Sequence, residues 1–146
     1  MYYSNKVNNY KQTQITTASP GRLVILMYDG CIRFLNQAKA GIREKRLDMA
    51  NNNIVRTQKI LNELSLVLDM EKGGEIAKNL WRLYDYMVYR LIDINIKKDE
   101  EAIDEIIVML EQLRDAWTQV ISQERGIAPG GNQPGFEGMA SLDISS

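Results

Sequence analysis

The chain contains no histidine. Enzyme readings thereby lose the commonest general base, the commonest metal ligand and every histidine-dependent triad. Cys31 is the only cysteine, so no intrachain disulfide forms, and its place in an apolar pattern marks it as a small buried side chain. Apolar runs long enough to cross a bilayer are missing too. The first residues, Met-Tyr-Tyr-Ser-Asn-Lys, lack the core of a secretory signal, so a protein that stays in the cytosol without membrane insertion is expected. Neither sign of charge dominates: 18 Lys and Arg face 19 Asp and Glu, for a net charge of -1 and a pI of about 5.5. That balance argues against nucleic acid as a partner, because phosphate backbones reward clustered cations.

What the chain does have is length and helical periodicity. Its 146 residues suffice for one core. Ser19-Pro20 reads as a helix start, with Ser as N-cap and Pro where a missing N–H costs nothing. The first helix is expected from Pro20 to about Ala40, apolar over roughly 200° of its circumference. Arg43-Glu44-Lys45-Arg46 reads as a solvated turn. Asp48 is placed as N-cap of a second helix whose seam, Ala50, Ile54, Thr57, Leu61, Leu64 and Leu68, steps by fours and threes to about Asp69. The glycine pair Gly73-Gly74 ends a connection. A third helix is expected from about Glu75 to Ile96, and a fourth, capped by Asp99, carries Ile103, Ile106, Leu110, Leu113, Trp117 and Val120 to about Gln123.

Short connections between four amphipathic helices predict an all-α, antiparallel up-down-up-down four-helix bundle over residues 18–125. It is flanked by an N-terminal arm, residues 1–17, and a flexible C-terminal tail, residues 126–146. The arm carries Tyr3, Val7 and Tyr10 at helical spacing, and reads either as a frayed end or as a segment docked on the body. The tail holds Pro129, Pro134 and five glycines between Gly126 and Gly138.

No cofactor or metal is expected. The Glu-x-x-His pairs of di-iron bundles are absent, and Glu100, Glu101, Asp104, Glu105 and Glu111 lie mostly off the apolar seam. Gly73-Gly74 lacks the preceding strand and the Gly-Lys-Ser/Thr of a phosphate loop. Surface for recognition is what remains. Helices one and three are broader in apolar character than one seam needs, and Met27, Met87 and Met109 adapt to varied partners. Asn79–Leu91 alone holds Trp81, Tyr84, Tyr86 and Tyr89, four of eleven aromatic residues. Within it Leu80, Leu83, Tyr84, Met87 and Leu91 read mainly as core, Trp81 and Val88 as groove border, and Tyr86 and Tyr89 as edge positions. Either these are simply the central helices, or they form a groove for an amphipathic helix of another chain.

Two motifs carry a resemblance. Thr17-Ala18-Ser19-Pro20 with Leu23 and Leu26-Met27-Tyr28-Asp29-Gly30, then Glu71-Lys72-Gly73-Gly74-Glu75-Ile76-Ala77 with Asn79-Leu80 and Leu83-Tyr84-Asp85-Tyr86-Met87, resemble the FliS family of flagellar secretion chaperones over roughly Tyr10 to Gln123. The resemblance implies a non-enzymatic cytosolic chaperone that binds the C-terminal segment of flagellin, prevents premature polymerisation and helps deliver it to the flagellar export gate. It also implies an arm, here around Val7 and Tyr10, that caps an apolar site. Partner-binding candidates are therefore Val7, Tyr10, Leu23, Met27, Tyr28, Trp81, Tyr84, Tyr86, Val88 and Tyr89. A self-associating structural bundle, or an adaptor without a flagellin client, is the alternative.

Overall fold

In a computed structural model, the described residues are 20–124. The arm with Val7 and Tyr10, the Ser19 cap and the tail lie outside them. Four helices follow one another: α1 Pro20–Arg43, α2 Leu47–Leu66, α3 Met70–Lys97 and α4 Glu100–Glu124.

Cross-links between helices fix their directions. From α1 to α4, Asp29 pairs with Arg114, Lys39 with Asp104 and Arg43 with Glu100, so one number rises as the other falls. From α2 to α3, Asn51 accepts a hydrogen bond from Asn95 at 2.7 Å and Gln58 donates to the Val88 carbonyl at 3.0 Å. Neighbours are thus antiparallel, and the ring closes as α4 returns to α1. The α3–α4 pair is the loosest of the four interfaces.

The expected seams form the core. Ala50, Ile54, Thr57, Leu61 and Leu64 of α2 are buried, as are Ile103, Ile106, Leu110, Trp117 and Val120 of α4. Fully burying such large apolar side chains stabilises by about 1.5–3 kcal/mol each before entropy is counted.

Helix ends differ from expectation for local reasons. Helix α1 continues past Ala40 to Arg43, where a cation suits the negative end of the helix dipole. Lys45 then takes the left-handed conformation (φ 59°) and the Arg46 N–H returns to the Gly41 carbonyl at 2.7 Å. A Cβ on Gly41 would lie 2.9 Å from the Ala50 nitrogen, so glycine is what lets α1 and α2 meet at this turn.

Asp48 is not the cap of α2. The Arg46 carbonyl already accepts from the Ala50 N–H at 3.1 Å, so the helix starts at Leu47 and Asp48 sits in its first turn. Asp69 in turn belongs to α3, its side chain accepting from the Lys72 N–H at 3.0 Å. One turn, Met70 to Gly73, precedes Gly74, whose φ of 53° and ψ of -130° interrupt the helix. The uninterrupted part begins at Glu75, as expected. Asp99 caps α4 as expected, accepting from the Ala102 N–H at 3.1 Å.

Candidate partner-binding groove

Helix α3 is apolar on two faces. Ala77, Leu80, Tyr84, Met87, Leu91 and Ile94 are buried in the bundle. A second stripe, Trp81, Asp85, Val88, Tyr89, Ile92 and Ile96, follows at helical spacing and stays open to solvent. Tyr89 is 65% exposed and Ile96 76%, while Asp85 and Val88 are half-buried. A single core face explains the first set, not the second.

Helix α2 forms the opposite wall, and its side is polar. At the end of the groove near Lys98, an open pocket of about 310 Å³ is lined by Asn51, Gln58, Ile92, Asn95, Ile96 and Lys98. Lys98, in the left-handed conformation that ends α3, donates to the Asn95 carbonyl at 2.6 Å and to its side-chain oxygen at 2.7 Å. The walls thus combine apolar surface from α3 with amide groups from α2. That mixture suits an amphipathic segment better than a small apolar ligand.

The sequence candidates separate in space. Trp81, Val88 and Tyr89 lie on the second stripe of α3, and of the three only Val88 is seen bonded to α2, its carbonyl accepting from Gln58. Tyr86 is exposed but lies about 140° around α3 from Trp81, off that stripe. Leu23 and Met27 are half-buried on the side of α1 that meets α2, next to Gly30, whose added Cβ would touch Ile60 at 3.4 Å. They flank the α1–α2 seam, with α2 standing between them and Trp81.

Tyr28 and Tyr84 reach no surface. They are 0% and 1% exposed, their hydroxyls 2.6 Å apart, and the Trp117 indole N–H donates to the Tyr28 oxygen at 2.9 Å. The trio ties α1, α3 and α4 together at one level, across the bundle diagonal. Burial, and then the nearby Tyr84, push the Tyr28 hydroxyl pKa well above its usual value. Burial likewise pushes the Cys31 thiol up to about 12, which leaves it unreactive at neutral pH.

Pattern reading missed Ile92, Ile96, Asn51, Gln58, Asn95 and Lys98 as groove residues. Stepping by four from Val88 through Ile92 to Ile96 was the available signal for the apolar part. The amides carried none, because their alignment depends on how α2 and α3 pair.

Among the described residues no group of acidic or cysteine side chains could hold a metal, and no helix is long and apolar enough to cross a membrane. An all-α bundle with an open amphipathic groove is the class of protein these observations define. A sequence model of the family described as Flagellar protein FliS matches residues 3–124. The chain is 34% identical over 125 residues to the Flagellar secretion chaperone FliS of Bacillus subtilis (strain 168), covering 86% of this chain and 92% of the relative. It is 36% identical over 117 residues to the Campylobacter jejuni protein of that name (80% and 91% covered). With the Salmonella typhimurium one it shares 34% over 125 residues (82% and 93%). The chain belongs to the FliS family.

Proposed function

We propose that this chain is a cytosolic, non-enzymatic export chaperone. It binds the C-terminal segment of flagellin, prevents premature polymerisation and assists delivery to the flagellar secretion apparatus. Family membership supports the chaperone role. The observation that carries the binding mode is the second apolar stripe of α3, which the bundle leaves uncovered beside the amide wall of α2.

The physical logic runs from the client. A segment that assembles through an amphipathic helix self-associates in the cytosol unless its apolar face is covered reversibly. Ordering such a segment costs several kcal/mol, on the order of 2–5, which burial along the groove offsets. Trp81, Val88 and Tyr89 are the proposed contacts, with Ile92 and Ile96 continuing the stripe. Leu23 and Met27 are proposed as a second contact region on the far side of α2, and Tyr86 as an edge contact. Tyr28 and Tyr84 act indirectly, by holding α1 and α3 in place. Val7 and Tyr10 are proposed to occupy part of the apolar surface when no client is bound, lowering apparent affinity by the fraction of time they do so.

Titration of the full chain with a synthetic flagellin C-terminal peptide tests this reading. Saturable binding that survives moderate salt is expected, because apolar burial carries it. Absence of binding, together with concentration-dependent self-association in sedimentation, would establish the self-associating bundle instead.

A further inference from the structure

Phe34, on the edge of α1 that meets α2, carries two cations. The Arg33 guanidinium lies 5.3 Å from the centre of its ring, and Arg56 reaches across from α2 to within 5.6 Å of the same point. Arg33 lies back over Gly30, where an added Cβ would sit 4.0 Å from its terminal nitrogen. Each guanidinium gains from the ring face, yet the two repel each other, and neither meets a carboxylate among the described residues. Asp29, one turn before Arg33, is engaged by Arg114. Lys59 and Glu63, four apart on α2, add no net charge. Below Phe34 on the same edge, Leu23 and Met27 are half-buried, and half-buried Ile60 of α2 lies against Gly30. The α1–α2 seam thus offers apolar surface topped by two cations, which suits a segment that mixes apolar side chains with a carboxylate.

We propose that the occupant is this chain's own tail, with the Glu137 carboxylate held between Arg33 and Arg56. No Lys or Arg follows Arg125, and Glu137 and Asp143 stand among Phe136, Met139, Leu142 and Ile144. Residues 1–19 have the opposite character, Lys6 and Lys11 without an acid, so the two guanidiniums repel that segment. Phe136 and Met139, flanking Glu137, pack on Met27 and Ile60. Reach is sufficient. Antiparallel neighbours bring the ends of α2 and α4 to one end of the bundle, and Arg56 stands ten residues before Leu66, about 15 Å along the axis. One or two helix spacings of about 8–10 Å separate α4 from the α1–α2 seam. The thirteen residues from Glu124 to Glu137 span up to about 45 Å. The family match stops at residue 124, so this contact is no part of the shared pattern. Seated there, the tail covers Leu23 and Met27 as well.

Disulfide trapping in the full chain tests the placement, because the native Cys31 is buried and unreactive. Gly138→Cys is combined either with Gln37→Cys, exposed on α1 one turn beyond Phe34, or with Tyr89→Cys, exposed on α3 at nearly the same height. Dilute protein is treated with a mild oxidant, and the monomeric disulfide product is followed with time. Closure to position 37 is expected at least about tenfold faster than closure to position 89. Glu137→Gln should lower that preference at least about fivefold, and Asp143→Asn by less than about twofold. Equal rates, faster closure to position 89, a preference unchanged by Glu137→Gln, or a loss as large with Asp143→Asn overturns the proposal. No client enters the measurement, so its outcome is separate from that of the chaperone reading.

Discussion

The hydroxyl pair in the core offers a sharp test of how the bundle is held. In Tyr28→Phe the ring stays and the oxygen goes. Trp117 then loses the acceptor of its indole N–H, and Tyr84 loses a 2.6 Å partner, both at fully buried positions. Losing the bond to Tyr84 costs about 1 kcal/mol net, and leaving the indole N–H without that acceptor costs roughly 1–3 kcal/mol more. Tyr84→Phe removes the same hydroxyl pair but leaves the Trp117 bond to Tyr28, so only the first loss applies. Tyr28→Phe should therefore destabilise by about 2–4 kcal/mol and Tyr84→Phe by about 1 kcal/mol. In a bundle of this size the former lowers Tm by roughly 8–16 °C. The double variant should cost less than the two singles added, since they share one interaction. Urea titration followed by fluorescence reads all three, and Trp81→Phe as background leaves buried Trp117 the only tryptophan reporting on the core. Equal destabilisation by the two single variants would refute the reasoning, because it would mean the indole bond contributes nothing.

Other expectations follow from the same geometry. Stability should fall as pH rises above about 9. Cys31 and Tyr28 have folded pKa values raised above their unfolded ones, so the unfolded chain releases protons first, at about 1.4 kcal/mol per pH unit for each group. The thiol acts from pH 9 towards 12 and the phenol from about pH 10 upward, and alkaline denaturation midpoints in urea measure the slope. Gly41→Ala should destabilise by about 1–3 kcal/mol, since its Cβ meets backbone of Ala50 and Arg46. Gly30→Ala, whose Cβ would meet only the tip of Ile60 at 3.4 Å and the end of Arg33 at 4.0 Å, should cost nothing or gain up to about 1 kcal/mol in helix propensity; thermal melts of the two variants decide. Asn53 is buried with its side-chain oxygen unpaired, so Asn53→Ala should be neutral or stabilising by up to about 1 kcal/mol in chemical unfolding. Ile96→Asp should leave Tm within about 2 °C and weaken the flagellin peptide at least about tenfold; an unchanged affinity would place the client elsewhere.

Much of this protein was written in one dimension. Heptad spacing in α2 and α4 specified which residues face inward, because the side-chain direction of a helix repeats every 3.6 residues whatever its neighbours do. Asp99 and Pro20 fixed helix starts through bonds that a residue makes or lacks within one turn. Asp48 and Asp69 show the limit of that logic. Both are good caps, and which backbone N–H each could reach was decided by where the preceding turn placed it.

Partner candidates were legible only as apolar surplus. Periodicity showed that α1 and α3 had more apolar surface than one seam uses, but it could not rank positions within the surplus. Pairing did that. The diagonal placement of α1 and α3 turned Tyr28 and Tyr84 inward onto Trp117, and the meeting of α2 with α3 left Trp81, Tyr89, Ile92 and Ile96 beside a wall of amides. By itself the sequence determined the helices, their inward faces and the absence of histidine chemistry, all properties of local spacing or composition. The tertiary structure decided which of two apolar faces on one helix the core would cover, because burial belongs to pairs of helices and not to any one of them.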